Sequence, residues 1–132
     1  SAHPSAIIPK VKGGSIMTQY AFTMSLLFDT YGALLTEKQQ TYFDLYYNQD
    51  LSLAEIAEQE GISRQGVHDA ISRSEALLAS FERVTGCVAR EQKLRHALAA
   101  ITAEAQPLLQ AGDPATRQGA QRILAAVDSL KE

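Results

Sequence analysis

Two short helical patterns joined by a turn, within residues 51–78, constrain the fold more than any other feature of the chain: LSLAEIAEQEGISRQGVHDAISRSEALL. Ser52 can cap the first helix and Ser63 the second, because a serine hydroxyl accepts hydrogen bonds from the unpaired N–H groups at a helix start. Between the two helices, Gly61 permits the positive φ that a tight turn needs. The pattern predicts a helix-turn-helix, in which two helices cross at a steep angle and the second projects from the surface.

The second helix of this pair has a predicted inner face and a predicted outer face. Val67 and Ile71 should pack inwards, with Ala57 at the helix crossing and Ile62 filling the corner of the turn. Asp69 on the outer side should pair with an arginine one turn on. Arginine and glutamine near a helix start can read base edges, and a capping serine suits a phosphate. The candidate nucleic-acid-binding residues are Ser63, Arg64, Gln65, His68, Ser72 and Arg73.

Two further helices are expected before this pair. Apolar residues, among them Leu34, recur at three and four positions over residues 23–35, which indicates an amphipathic helix. Thr36 can cap a second helix that ends near Asn48. Four aromatic side chains of that second helix could stack on bases, but such platforms usually lie in a basic groove. We therefore expect them to pack in the core, with one or two of the tyrosines at the surface: Tyr42, Phe43, Tyr46 and Tyr47.

Helical spacing also continues after the pair, and no segment shows the alternation of a strand. The second helix of the pair should end near Thr85. An alanine-rich helix should follow it and should end or bend at Pro107. Asp113 followed by Pro114 opens a last helix. The prediction is an all-α protein with a helix-turn-helix domain over residues 17–86. The helical extension, residues 87–132, has more small and apolar surface than a hairpin can bury and should support a homodimer.

Other features of the sequence narrow the class of protein. Residues 1–16, SAHPSAIIPKVKGGSI, have no helical period and look like a vector-derived leader before Met17.

Cys87 is the only cysteine, so neither an internal disulfide nor a cysteine-based zinc site can form. The chain has neither a long uncharged apolar run nor the start of a secretory signal, so we expect a cytoplasmic protein without a membrane contact. Neither His68 nor His96 has a nucleophile, a phosphate loop or a metal-ligand partner at a useful spacing, so we expect no enzyme, cofactor or metal.

Charge weighs against ordinary DNA binding. Residues 17–86 contain four basic and ten acidic side chains, whereas residues 87–132 contain six basic and five acidic ones. Phosphate contacts supply most non-specific affinity, so a domain this acidic should repel a duplex except over a local patch. For Arg64, Gln65 and His68, nucleic-acid contact and simple exposure to solvent therefore remain equal alternatives.

The same residues carry a resemblance to known proteins. Residues 34–78, from LLTEKQQ to the segment GISRQGVHDAISRSEALL, resemble the last conserved region of sigma factors, and residues 26–82 are more similar to the YlxM family. The resemblance implies the fold of sigma region four and nucleic-acid binding at Arg64, Gln65 and His68. YlxM proteins are commonly encoded beside the signal recognition particle GTPase, which implies a regulatory role with signal recognition particle components. The alternative is a protein-interaction adaptor that uses the same scaffold without binding nucleic acid.

Overall fold

The computed structural model describes the backbone of residues 16–131 and the side chains of residues 19–131. The expected leader lies outside these residues except for Ile16, where the first helix begins. In the described part the chain is helical with no strand, which confirms the all-α prediction. The α-helices are α1 (Ile16–Tyr31), α2 (Glu37–Tyr47), α3 (Leu53–Glu60), α4 (Arg64–Thr85), α5 (Cys87–Ala105) and α6 (Pro114–Ser129), and 3₁₀ turns lie at Gly32–Leu34 and Gln106–Gln110.

Local side-chain chemistry sets the ends of these helices where the sequence predicts them. Thr36 and Ser52 each form a capping box. The hydroxyl of the capping residue accepts a hydrogen bond from the backbone N–H group three residues on, and the side chain of that later residue accepts one from the backbone N–H group of the capping residue. Asp113 caps α6 by accepting the N–H group of Thr116 at 3.2 Å. The C-terminal end of α4 is set by Gly86, which adopts a φ of 62° and stops the helix. These predicted helix ends are therefore confirmed, whereas the first helix, expected over residues 23–35, spans Ile16–Tyr31.

The chain divides into two compact units after Val88. In the first unit, one buried cluster joins α2, α3 and α4, and a second joins α1, α2 and α4. Leu34 was expected to pack inwards, but its side chain is 66% exposed while Leu35 is buried. The reason is that α1 ends at Tyr31, and the tighter 3₁₀ turn after it shifts the phase of the inward-facing positions.

The aromatic side chains of α2 pack in the core, as predicted. Tyr42, Phe43 and Tyr46 are buried, and Phe43 stacks on Phe28 of α1 with ring centroids 4.6 Å apart. Only Tyr47 among the four aromatic side chains is partly exposed. Its hydroxyl donates a hydrogen bond to Glu75 of α4.

Glu75 is a fully buried carboxyl group that the sequence pattern did not predict. It accepts hydrogen bonds from Tyr47 of α2 and, at 3.4 Å, from Tyr20 of α1. Burial raises the pKa of Glu75 to about 8, although both hydrogen bonds act in the opposite direction. Its position four residues after Ile71, on the inward side of α4, is the local signal for its burial.

The titration of Glu75 should make the stability of the first unit depend on pH. Because its folded pKa lies above its ordinary value, the folded state binds the proton more tightly than the unfolded state does. Its stabilising contribution is complete below the ordinary pKa near 4.5 and is lost as the pH rises through about 8. Between these values, the loss should approach about 1.4 kcal/mol per pH unit. Chemical unfolding of Glu75→Gln and wild type across this range should show the difference in unfolding free energy moving in favour of the variant as pH rises.

Glu58→Gln is the matched control, because Glu58 is an exposed glutamate on α3. As a substitution at an exposed position, it should change the unfolding free energy by only about 0.5 kcal/mol or less. Parallel curves for Glu75→Gln and wild type would contradict the proposed burial of a titrating carboxyl group.

Candidate nucleic-acid interface

The turn between α3 and α4 holds α4 at a defined angle to the rest of the first unit. Gly61 adopts a φ of 70°, and the N–H group of Ile62 donates to the carbonyl oxygen of Ala57 at 3.1 Å. Ile56 of α3 and Val67 of α4 are both fully buried in the same cluster. Burying such side chains contributes roughly 1.5–3 kcal/mol each, which fixes the crossing of the two helices.

The expected role of Ile62 is wrong. Its side chain is 38% exposed, whereas Ile56 before the turn and Val67 after it are fully buried. Ile62 follows the left-handed residue Gly61, so its side chain lies at the outside of the turn. A Cβ at Gly66 would lie 3.6 Å from the Cδ1 of Ile62, so this side chain covers the first turn of α4.

The start of α4 presents its candidate residues to solvent. Ser63 is the N-cap, and its Oγ accepts the N–H group of Gly66 at 2.9 Å. Arg64 and Gln65 are exposed, the His68 side chain is 40% exposed, and Ser72 is half-buried. At 100° per residue, the side chains of Arg64, Gln65, His68 and Ser72 fall within about 100° of the helix circumference, whereas exposed Arg73 lies about 80° beyond Gln65.

Asp69 organises this surface in a way that the sequence pattern did not predict. Instead of pairing with Arg73, its Oδ1 accepts a hydrogen bond from Nε2 of Gln65 at 2.9 Å and lies 3.3 Å from Nδ1 of His68. The hydrogen bond from Gln65 and the contact with His68 hold the pKa of Asp69 below its ordinary value. The charge of Arg73 makes the smallest contribution to this lowering of the Asp69 pKa. One carboxylate thus restrains two of the candidate reading side chains.

Acidic side chains surround this small basic surface. Glu58 and Glu60 lie exposed on α3, the helix that precedes the turn, and Asp69 lies on α4 itself. The positive side chains on the outer face of the first half of α4 are Arg64 and Arg73. A phosphate can therefore approach at the N-terminus of α4, where unpaired N–H groups and Arg64 coincide, better than along α3.

No three histidine, cysteine, aspartate or glutamate side chains between residues 19 and 131 come together as a metal site. Within the described part of the chain, no helix is both long enough and apolar enough to cross a bilayer.

Comparison with known proteins extends the similarity beyond the helix-turn-helix. A family described as "Putative helix-turn-helix protein, YlxM / p13 like" matches residues 18–111. The UPF0122 protein of Symbiobacterium thermophilum is 46% identical over 104 residues, which cover 79% of this chain and 91% of that protein. One from Halalkalibacterium halodurans is 40% identical over 116 residues, 87% of this chain and 100% of that protein. One from Clostridium kluyveri is 61% identical over 59 residues, 45% of this chain and 53% of that protein.

Substitution of the turn glycine should destabilise the first unit. Gly61→Ala places a Cβ at a φ of 70°, where an alanine is strained although nothing lies within 4 Å of the added atom. We expect a loss of about 1 kcal/mol in unfolding free energy, measured by denaturant titration. Gly112→Ala is the control, because that site has equally open space without a positive φ. Equal effects of the two substitutions would rule out a conformational requirement for glycine at the turn.

Proposed function

The chain belongs to the UPF0122 family of YlxM/p13-like helix-turn-helix proteins, and on this basis we propose that it is a non-enzymatic regulatory protein that binds nucleic acid through the start of α4. The observation that carries the proposal is the exposure of Arg64 and Gln65 and the partial exposure of His68 in the first turns of α4, while Val67 and Ile71 on the adjoining face are fully buried. A helix held in this way can enter a groove without distorting the rest of the unit.

The proposed contacts follow from the chemistry of each side chain. A backbone phosphate binds at the N-terminus of α4, next to Ser63. Arg64 suits a guanine edge and Gln65 an adenine edge, because each can form two hydrogen bonds with its base. Asp69 orients the Gln65 amide before binding, as the hydrogen bond between them indicates. Ser72 extends the contact along the same side of the helix, and Arg73, further round the helix, contacts a neighbouring phosphate.

The acidic surroundings give this surface selectivity in the proposal. Negative charge on α3 opposes binding to an arbitrary backbone, so affinity depends on the few contacts made by α4. The resemblance to YlxM proteins, which are commonly encoded beside the signal recognition particle GTPase, supports a role in that pathway. We therefore propose a cytoplasmic protein that acts on the particle's RNA, on its GTPase or on the genes that encode them.

A second candidate function is a protein-interaction adaptor. It is favoured by the excess of acidic side chains in residues 17–86, ten against four basic ones. In that case α4 would present a docking surface, and binding would respond to apolar substitutions more than to salt. A pull-down from bacterial lysate with and without nuclease separates the two functions, since only a nucleic-acid reader retains specific RNA or DNA.

Loss of Arg64 should weaken nucleic-acid binding. The full chain is titrated into labelled signal recognition particle RNA and, separately, into a pool of random-sequence duplex DNA, with fluorescence anisotropy as the readout. If Arg64 contacts a base, Arg64→Ala should reduce affinity for the bound nucleic acid by about 1–3 kcal/mol. If Arg73 contacts a phosphate, Arg73→Ala should reduce the slope of log affinity against log salt concentration by about 1, the amount expected for one lost phosphate contact.

Arg83→Ala is the matched control, since Arg83 is an exposed arginine in the last turn of the same helix. It should leave affinity unchanged. Binding that responds equally to Arg64→Ala and Arg83→Ala would move the contact away from the start of α4. A chain that binds neither nucleic acid, yet retains proteins after nuclease treatment, would favour the adaptor.

A further inference from the structure

The second unit leaves a row of large apolar side chains exposed. Four hydrophobic residues are buried within it, and two of these, Ala105 and Ala120, are alanines. By contrast, five large apolar side chains of this unit are 42–60% exposed: Leu94, Ile101, Leu108, Ile123 and Leu130. More large apolar side chains are therefore exposed than buried in these 44 residues.

The exposed side chains form one surface. Leu94, Ile101 and Leu108 recur every seven residues along α5 and the 3₁₀ turn, and Ile123 of α6 is seven residues before Leu130, the C-cap residue of that helix. A seven-residue spacing keeps side chains on the same side of a helix and is typical of helix–helix interfaces. Ile101, Leu108 and Ile123 also line a common groove whose walls are almost entirely apolar. We call these five side chains the hairpin seam.

A second copy of the hairpin would supply the missing layer. Two packed layers are the minimum for a stable hydrophobic core, and a unit of about 40 residues rarely buries enough apolar surface alone. Two antiparallel hairpins packed face to face form a four-helix bundle. The unit is also nearly neutral, with six basic and five acidic side chains after residue 88, so two copies do not repel each other strongly.

Charge on the flank of the hairpin seam suits pairing with itself. Lys93 and Glu104 are both exposed and lie eleven residues apart on α5, close to three full turns, so they share the same flank. They are about 16 Å apart along the helix axis and cannot contact each other within one copy. A twofold axis that relates antiparallel α5 helices keeps each flank on its own side. In the register in which the axis crosses α5 midway between these two positions, each Lys93 lies beside the partner's Glu104.

The same register packs the apolar residues. With Lys93 opposite Glu104 of the partner subunit, Leu94 lies at a level between the partner's Ile101 and the partner's Ala105. Side chains of opposite helices then alternate along the seam, as they do in packed helical bundles. We propose that the hairpin seam is a twofold interface with a second copy of this chain, in which the two α5 helices pair antiparallel.

The test measures the mass of the full chain in solution by sedimentation equilibrium at micromolar concentration. The wild type should be a dimer. Ile101→Glu places a charge in the seam and should weaken dimerisation by at least about tenfold. Leu34→Glu is the control, because Leu34 is a more exposed leucine of the first unit, and it should remain dimeric. A monomeric wild type, or an Ile101→Glu variant that dimerises as the wild type does, would overturn the proposal.

A charge exchange tests the pairing itself. Lys93→Glu should weaken the dimer, and adding Glu104→Lys in the same chain should restore it. Restoration requires the two positions to face each other across copies, so it would not follow if another protein covered the seam. A double variant no tighter than Lys93→Glu alone would overturn the antiparallel register. Binding of nucleic acid by α4 is measured separately, so failure of either proposal leaves the other intact.

Discussion

The packing of the inner face of α4 is the constraint on which the first unit depends. Val67 and Ile71 join this helix to α2 and α3, and Leu78, two turns further on, joins it to α1 and α2. All three side chains are fully buried. Because the same rigid helix takes part in both clusters, the position of its exposed N-terminal half is set by contacts made along its whole length. The candidate interface thus depends on packing far from its own residues.

Glu75 lies between these two clusters and introduces a polar group where the packing would otherwise be apolar. The hydroxyl groups of Tyr20 and Tyr47 supply its hydrogen bonds, one from each of two helices that pack against α4. A buried carboxyl group left without such partners would strongly destabilise the core. The contact therefore ties α1 and α2 to one position on α4, because a shift of either helix would break a buried hydrogen bond.

The exposed surfaces of the two units differ in chemical character. The first unit has an excess of acidic side chains around a small basic surface at the start of α4, whereas the second unit has almost balanced charge and an exposed apolar seam. Charge of one sign favours selective contact with a charged partner. An apolar seam with balanced flanking charge favours association with another helical surface. The proposed reading of nucleic acid and the proposed self-association consequently use separate parts of the chain.

The sequence by itself determined the features that depend on neighbours within one or two helical turns. The caps Thr36, Ser52 and Asp113, the turn at Gly61, and the order and type of the six helices all follow from hydrogen bonds or backbone angles between nearby residues. The helical periodicity of α4 also determined which of its sides is buried, and so which candidate residues are exposed.

Only the tertiary structure decided features that depend on distant helices or on a choice among several nearby partners. Burial of Glu75 requires Tyr20 and Tyr47, residues 55 and 28 positions away, to meet at one point on α4. Leu34 is apolar in a helical pattern and Ile62 is an apolar residue of the turn, yet both side chains are exposed. Asp69 has possible partners on either side along its helix, and side-chain geometry selects Gln65 and His68 over Arg73. Local sequence specifies hydrogen bonds along the backbone, whereas burial depends on where the other helices lie and the choice among nearby partners depends on side-chain geometry.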